Sequence, residues 1–155
     1  MEISEILNEI ATDEFDYHYL IGKLKSYKHP RNKIRKIIQS GKIIRVKKGL
    51  YVKTEGNYHH FVLANMIFGP SYISEDSALS YYGLIPEKVV TTTCTTIGRK
   101  KEFNTPVGEF HYEPTPKYLY PIGVKRKVVD DKRSYLIASP EKALFDRLHK
   151  VKGIE

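Results

Sequence analysis

Three observations in the sequence predict an α+β fold. Apolar residues of helical period fill residues 1–41, two short β-prone runs flank a glycine turn between 43 and 53, and Val- and Thr-rich runs begin near residue 89. A last segment of helical character follows from Ser139. Helices at either end of a block of strands favour a segregated α+β arrangement, with a mostly antiparallel sheet. We place a first domain at residues 1–54 and a second at 58–155. The polar stretch Glu55-Gly56-Asn57 serves as linker.

In the first domain, Ile3, Ile6, Leu7 and Ile10 recur at i, i+3, i+4, i+7 and give one helical stripe. Tyr17, Leu20, Ile21 and Leu24 repeat the spacing, with Asp16 as N-cap. A third helix starts at Pro30, carries Ile34, Ile37 and Ile38 inward, and stops at Gly41. The connection from the second helix is short, about residues 28–30, which is helix-turn-helix spacing. Ile43-Ile44-Arg45-Val46 and Leu50-Tyr51-Val52-Lys53 then flank Lys47-Lys48-Gly49 as a hairpin. Three helices followed by a hairpin is the order of a winged helix-turn-helix, with Lys47 and Lys48 at the tip of the wing.

In the second domain a helix is expected over Tyr58–Phe68, before Gly69-Pro70. Another should be capped by Ser74 and closed by Gly83. Strands are expected over Val89–Ile97, Phe110–Tyr112, Val124–Val129 and Ser134–Ile137, with Asp130-Asp131 as a turn. Ser139-Pro140-Glu141 opens the last helix, whose Ala143, Leu144 and Leu148 are expected to face inward.

The chain has 155 residues, 41% of them hydrophobic, which is enough to pack a core and argues against disorder. No stretch reaches the roughly 20 apolar residues of a membrane span. The N-terminus is acidic and amphipathic, unlike a secretory signal. One cysteine, Cys94, excludes an internal disulfide, so a cytoplasmic, reducing setting is expected. Net charge is +8, unevenly spread. Residues 1–53 hold twelve basic and six acidic side chains, and all twelve basic ones lie between Asp16 and Glu55, where no acid occurs. A surface of one sign suits a polyanion.

On the third helix, Asn32, Arg35, Lys36 and Gln39 lie at i, i+3, i+4, i+7 opposite the isoleucines. Arg can bond guanine bidentately, and Asn or Gln adenine. Arg31 and Lys33 flank this face and suit phosphates, as do Arg45, Lys47 and Lys48 on the wing. Lys23 and Lys25 stand near enough in sequence to approach flanking phosphates. The partner expected is therefore double-stranded DNA. A basic protein- or RNA-interaction module without operator binding is the alternative reading, and a solvated basic helix face is the bland one.

Signals for catalysis are thin, and no enzyme, metal site or cofactor is expected. His59-His60 are adjacent rather than i, i+4, and neither a P-loop nor GxSxG occurs. Asp130-Asp131 with Glu141-Lys142 resembles part of a metal-dependent nuclease set but lacks the residue between Glu and Lys. Tyr81-Tyr82 and Tyr118/Tyr120 read as core or half-buried residues.

Three segments together carry a family resemblance. They are Ile44–Val52, the Tyr72–Glu87 stretch containing Ser77-Ala78-Leu79-Ser80-Tyr81-Tyr82-Gly83-Leu84-Ile85-Pro86, and Ala138–Asp146, which reads Ala138-Ser139-Pro140-Glu141-Lys142-Ala143-Leu144-Phe145-Asp146. In this order they resemble the AbiEi-type antitoxin and transcriptional regulator family of bacterial abortive-infection systems. The resemblance implies a winged helix that binds operator repeats and represses its own operon, read by a homodimer or by cooperative monomers. It implies DNA contacts from Arg45, Lys47, Lys48 and the neighbouring helix residues. It also implies a second domain acting as the antitoxin of a type IV toxin–antitoxin pair, opposing a nucleotidyltransferase-like toxin without a stable complex. The chain is short for the family, so the expected second domain is truncated at its C-terminal end.

Overall fold

A computed structural model describes residues 2–87 and 89–152, the last three by backbone alone. The chain is an α+β protein, with six helices and two sheets among the described residues, and it divides into two compact units, Met1–His59 and His60–Glu155.

The first unit runs α1 (Ile3–Asn8), β1 (Glu14–Asp16), α2 (Tyr17–Lys23), α3 (Pro30–Gln39), β2 (Ile43–Lys47) and β3 (Leu50–Lys53). Its sheet is antiparallel in the order β1-β3-β2. The sequence does not predict β1: three residues show no alternation, and Phe15 reads equally well as a core residue of a loop. Asp16 caps α2 as predicted, its carboxylate accepting from Tyr19 N at 2.8 Å. Helix α1 ends at Asn8, yet Ile10 beyond it stays buried in the same core as Ile6, Phe15, Leu20, Leu24, Ile34, Ile37, Ile43 and Tyr51.

The connection between α2 and α3 is longer than the spacing predicts. It spans six residues, 24–29, because Leu24 closes α2 with a bond to Ile21 O and Tyr27 N turns back to Leu24 O. Leu24 therefore serves the core from a turn, where periodicity alone extends the helix. Pro30 opens α3, and Gly41 ends it with φ +79, a left-handed conformation that costs glycine nothing.

Gly49, at φ +84, closes the β2–β3 turn, and its carbonyl accepts from Tyr17 N at 2.8 Å. A Cβ there meets no clash, only ordinary contact with Tyr17. Gly49→Ala should therefore cost the left-handed penalty alone, about 1–2 kcal/mol, read from the denaturant midpoint of the first unit. An unchanged midpoint would show that the turn relaxes freely.

The second unit runs α4 (His60–Ile67), β4 (Ser71–Ile73), α5 (Glu75–Tyr81), β5 (Thr92–Thr96), β6 (Lys101–Thr105), β7 (Gly108–Pro114), β8 (Val124–Val128), β9 (Ser134–Ala138) and α6 (Pro140–Lys152). The six strands lie in the order β6-β7-β5-β4-β9-β8. The pairs β6·β7, β4·β5 and β8·β9 are antiparallel, while β5·β7 and β4·β9 are parallel. Three of these five pairings are antiparallel, as expected, and the two parallel ones make the sheet mixed, because they arise from crossovers that local pattern cannot order. Strand β4 is too short to signal itself, and β6, on the sheet edge, is too polar.

Helices cover both faces. Tyr112 donates to Ala64 O of α4 (2.5 Å), and Phe61 of α4 packs edge-on against Tyr135. On the opposite face α5 and α6 pack together, with Tyr72 and Thr95 reaching Asp146 of α6.

Ser74 departs from its expected role. It sits at the N-cap of α5 in extended conformation but makes no cap bond, since its hydroxyl donates to Asp146 Oδ2 at 2.6 Å. The capping oxygen comes from β5 instead, where Thr93 Oγ1 accepts from Ser77 N at 3.0 Å. Glu75, buried beside it, takes φ +53, a left-handed conformation unusual outside glycine.

Candidate nucleic-acid interface

Helix α3 sorts its residues as the spacing predicts. Ile34 and Ile37 are buried and Ile38 half-buried, so the isoleucine stripe fixes the rotation of the helix against the core. Arg31, Asn32, Arg35, Lys36 and Gln39 are exposed on the other side. Lys33 is half-buried, its Nζ 5.3 Å from the centre of the Tyr27 ring. That contact holds the ammonium at the flank of the helix rather than on its outer face.

On the hairpin, Arg45 and Lys48 are exposed and Lys47 half-buried. Val46 is buried between them, out of step with buried Ile43. The register shifts between Arg45 and Lys47, a bulge that turns the strand end before the Lys48-Gly49 turn. Arg45 stands opposite Tyr51, whose phenol burial pushes above its usual range and Arg45 pulls partly back.

Among the described residues, no carboxylate forms an ion pair with Arg31, Arg35, Lys36, Arg45 or Lys48. A phosphate would therefore meet these cations without first displacing an internal acid, which lowers the cost of binding. Three acids of this unit are used elsewhere. Asp13 lies 3.8 Å from Lys53 Nζ and accepts from Asn57 N, Asp16 caps α2, and Glu14 accepts from His59 N.

Helical spacing misses two exposed lysines. Lys28 lies in the α2–α3 connection and Lys42 in the turn after α3. Both belong to the acid-free run, which is the signal that could have found them. Lys23 and Lys25, also exposed, bring α2 and the start of that connection into the same basic run.

The second unit holds a buried polar cluster that periodicity does not reveal, although four of its five members lie in the segments Tyr72–Glu87 and Ala138–Asp146. Asp146 Oδ2 accepts from Ser74 Oγ (2.6 Å), Tyr72 OH (2.8 Å) and Thr95 Oγ1 (3.4 Å). Lys142 Nζ donates to Leu119 O (2.5 Å), lies 4.0 Å from Asp146 Oδ1 and faces the rings of Tyr72 and Phe145. All of Tyr72, Ser74, Thr95, Lys142 and Asp146 are buried. Burial first, and the Asp146 carboxylate second, push the Tyr72 phenol far up, so it remains a donor. Two segments far apart in sequence, Tyr72–Ser74 and Lys142–Asp146, thus meet at one carboxylate.

The remaining chemical hints separate. Asp130 is turned on its own hairpin, bonded by Lys132 N and Arg133 N and paired with the Arg133 guanidinium at 2.8 Å. Those bonds, Lys132 N foremost, hold its carboxyl below the usual range. Glu141 is exposed while Lys142 points into the cluster. Cys94 is fully buried, and burial raises its thiol well above the usual range, leaving a poor nucleophile. Tyr82 and Tyr120 are half-buried as expected, but Tyr81 and Tyr118 are exposed. Among the described residues no helix is long and apolar enough to cross a membrane.

Compared with known protein families and with curated protein sequences, the chain matches none.

Proposed function

We propose that residues 1–53 form a winged helix-turn-helix that binds double-stranded DNA, with α3 as recognition helix and the β2–β3 hairpin as wing. One observation carries the reading: an exposed α3 face of Asn32, Arg35, Lys36 and Gln39 inside a basic segment without acids. Three helices, and a strand β1 that pairs with the hairpin, support it. The longer α2–α3 connection is compatible, because α3 is positioned by its isoleucines and not by the turn.

The biological role we propose is a sequence-specific autorepressor that also serves as the antitoxin of a type IV abortive-infection pair. Its toxin would be nucleotidyltransferase-like. The motif resemblance carries this second part. The joining of two of its three segments at Asp146 supports treating them as one structural feature.

The test is a binding titration against duplex DNA from upstream of the gene, with a scrambled duplex, at two salt concentrations. Tighter binding to the native duplex and a steep loss with salt are expected. Binding to neither duplex at low salt would sink the DNA reading and favour a basic protein- or RNA-interaction module.

The wing makes its own prediction. Lys47→Ala with Lys48→Ala should weaken binding to both duplexes alike and flatten the slope of log K against log salt by about 1–2. An unchanged slope would remove the wing from the interface. For the antitoxin role, co-expression with an adjacent nucleotidyltransferase-like gene should restore growth, and a variant that no longer represses should still do so.

A further inference from the structure

Helix α6 is built inside out. Its inner side carries Lys142, Ala143 and Asp146, all buried, although taking an ammonium and a carboxylate out of water costs several kcal/mol each before partners repay it. Its outer side carries Leu144, Phe145 and Leu148, which are 49%, 45% and 47% exposed. One exposed leucine needs no explanation, but a contiguous stripe on one helix does. The ring of His149 stacks on Phe145 at 5.7 Å, which places His149 on this same side. The outer stripe is therefore Glu141, Leu144, Phe145, Leu148 and His149, at i, i+3, i+4, i+7, i+8, an amphipathic pattern aimed away from the core.

The stripe is self-complementary. It has an acid at its N-terminal end, an imidazole at its C-terminal end, and apolar residues centred on Phe145. A two-fold axis through Phe145 sets Glu141 of each copy opposite His149 of the other, over an apolar centre, with the helix dipoles antiparallel. Arg147 does not intrude, since its Nη1 is held 2.6 Å from Asp76 Oδ1 on α5, an ion pair rather than a well-aligned hydrogen bond.

We infer that α6 is a self-association surface whose occupant is α6 of a second copy of this chain. Three apolar side chains, each about half exposed, make a smaller patch than the roughly 800 Å² per partner of a standard stable interface. The association is accordingly weak, with a dissociation constant of order 0.1 mM. On a repeated operator, neighbouring copies would meet at high effective concentration, and weak contacts become cooperative binding. That consequence rests on the proposed function, but the association itself does not.

Sedimentation velocity over a wide concentration range, without DNA, tests it. The average mass should rise with concentration toward two copies. Leu144→Lys with Leu148→Lys, both at exposed positions, should abolish the rise while the circular dichroism spectrum stays native. Glu141→Lys alone and His149→Glu alone should each weaken association, and the two together should restore it. A mass that stays at one copy throughout overturns the inference. If such a monomer binds an apolar dye that the double-lysine variant does not, the face belongs to a different partner. Association that survives the double-lysine variant overturns it too, since another surface would then carry the contact.

Discussion

Asp146→Ala should destabilise the second unit by about 3–5 kcal/mol, the range for breaking a buried ion pair from one side. The substitution leaves the Lys142 ammonium buried against Leu119 O, and it removes the carboxylate that accepts from Ser74, Tyr72 and Thr95. Domains of this size are stable by roughly 5–15 kcal/mol, so the loss is a large fraction of the total. Asp146→Asn keeps an acceptor oxygen and the side-chain volume, and should cost less, about 1–3 kcal/mol. Urea unfolding followed by a probe in the second unit gives both values. A partner experiment separates network from packing. Lys142→Met with Asp146→Asn removes the charges together, so the pair should cost less than the sum of the single changes. A cost for Asp146→Ala below about 1 kcal/mol would mean that α6 is held by its apolar contacts alone.

The exposed ion pair of Arg147 with Asp76 offers a contrast on the same helix. Both side chains are a little over two-fifths exposed, so its removal should change stability by less than about 1 kcal/mol despite the shorter distance. Burial, more than separation, decides which of the two α6 ion pairs matters.

What the sequence reveals follows from which forces write themselves into local pattern. Helix α3 is legible end to end because proline, three isoleucines and glycine agree on one answer. The hairpin is legible for the same reason. Strands β1 and β4 have three residues each, too few for a period to appear, and β6 reads Lys-Glu-Phe-Asn-Thr because an edge strand can be polar on both sides. The parallel pairings are invisible because strand order depends on crossovers, which leave no mark on either strand.

Helix α6 misleads for a deeper reason. Hydrophobic pattern assigns Leu144 and Leu148 inward, yet the chain buries Lys142 and Asp146 in their place. Only a partner can justify a buried carboxylate, and its partners lie at Tyr72, Ser74 and Thr95, distant in sequence. The candidate interface is the more readable part. Its charge is a composition property, and its exposure follows from α3 periodicity. How far the wing tip stands from the helix face has no sequence signature.

Arg35→Ala, Lys36→Ala and Gln39→Ala combined should lower affinity for the native duplex by at least about a hundredfold, since about 1–3 kcal/mol for each of three side chains that no longer reach a base edge gives about 3 kcal/mol at the least. Affinity for a scrambled duplex should fall much less, by the two phosphate-range charges removed. The fold should survive, because the three positions are exposed and alanine is the best helix former. This selectivity sets the helix variant apart from the wing variant. Replacing Lys47 and Lys48 should lower both affinities in parallel, since phosphates are the same in every sequence. If the helix variant also loses the two affinities in parallel, α3 supplies only charge, and sequence is read elsewhere or not at all. If it keeps both, α3 lies outside the interface, and the exposed basic side chains serve a different polyanion. Preference abolished with general affinity retained is the outcome the exposed face of α3 leads us to expect.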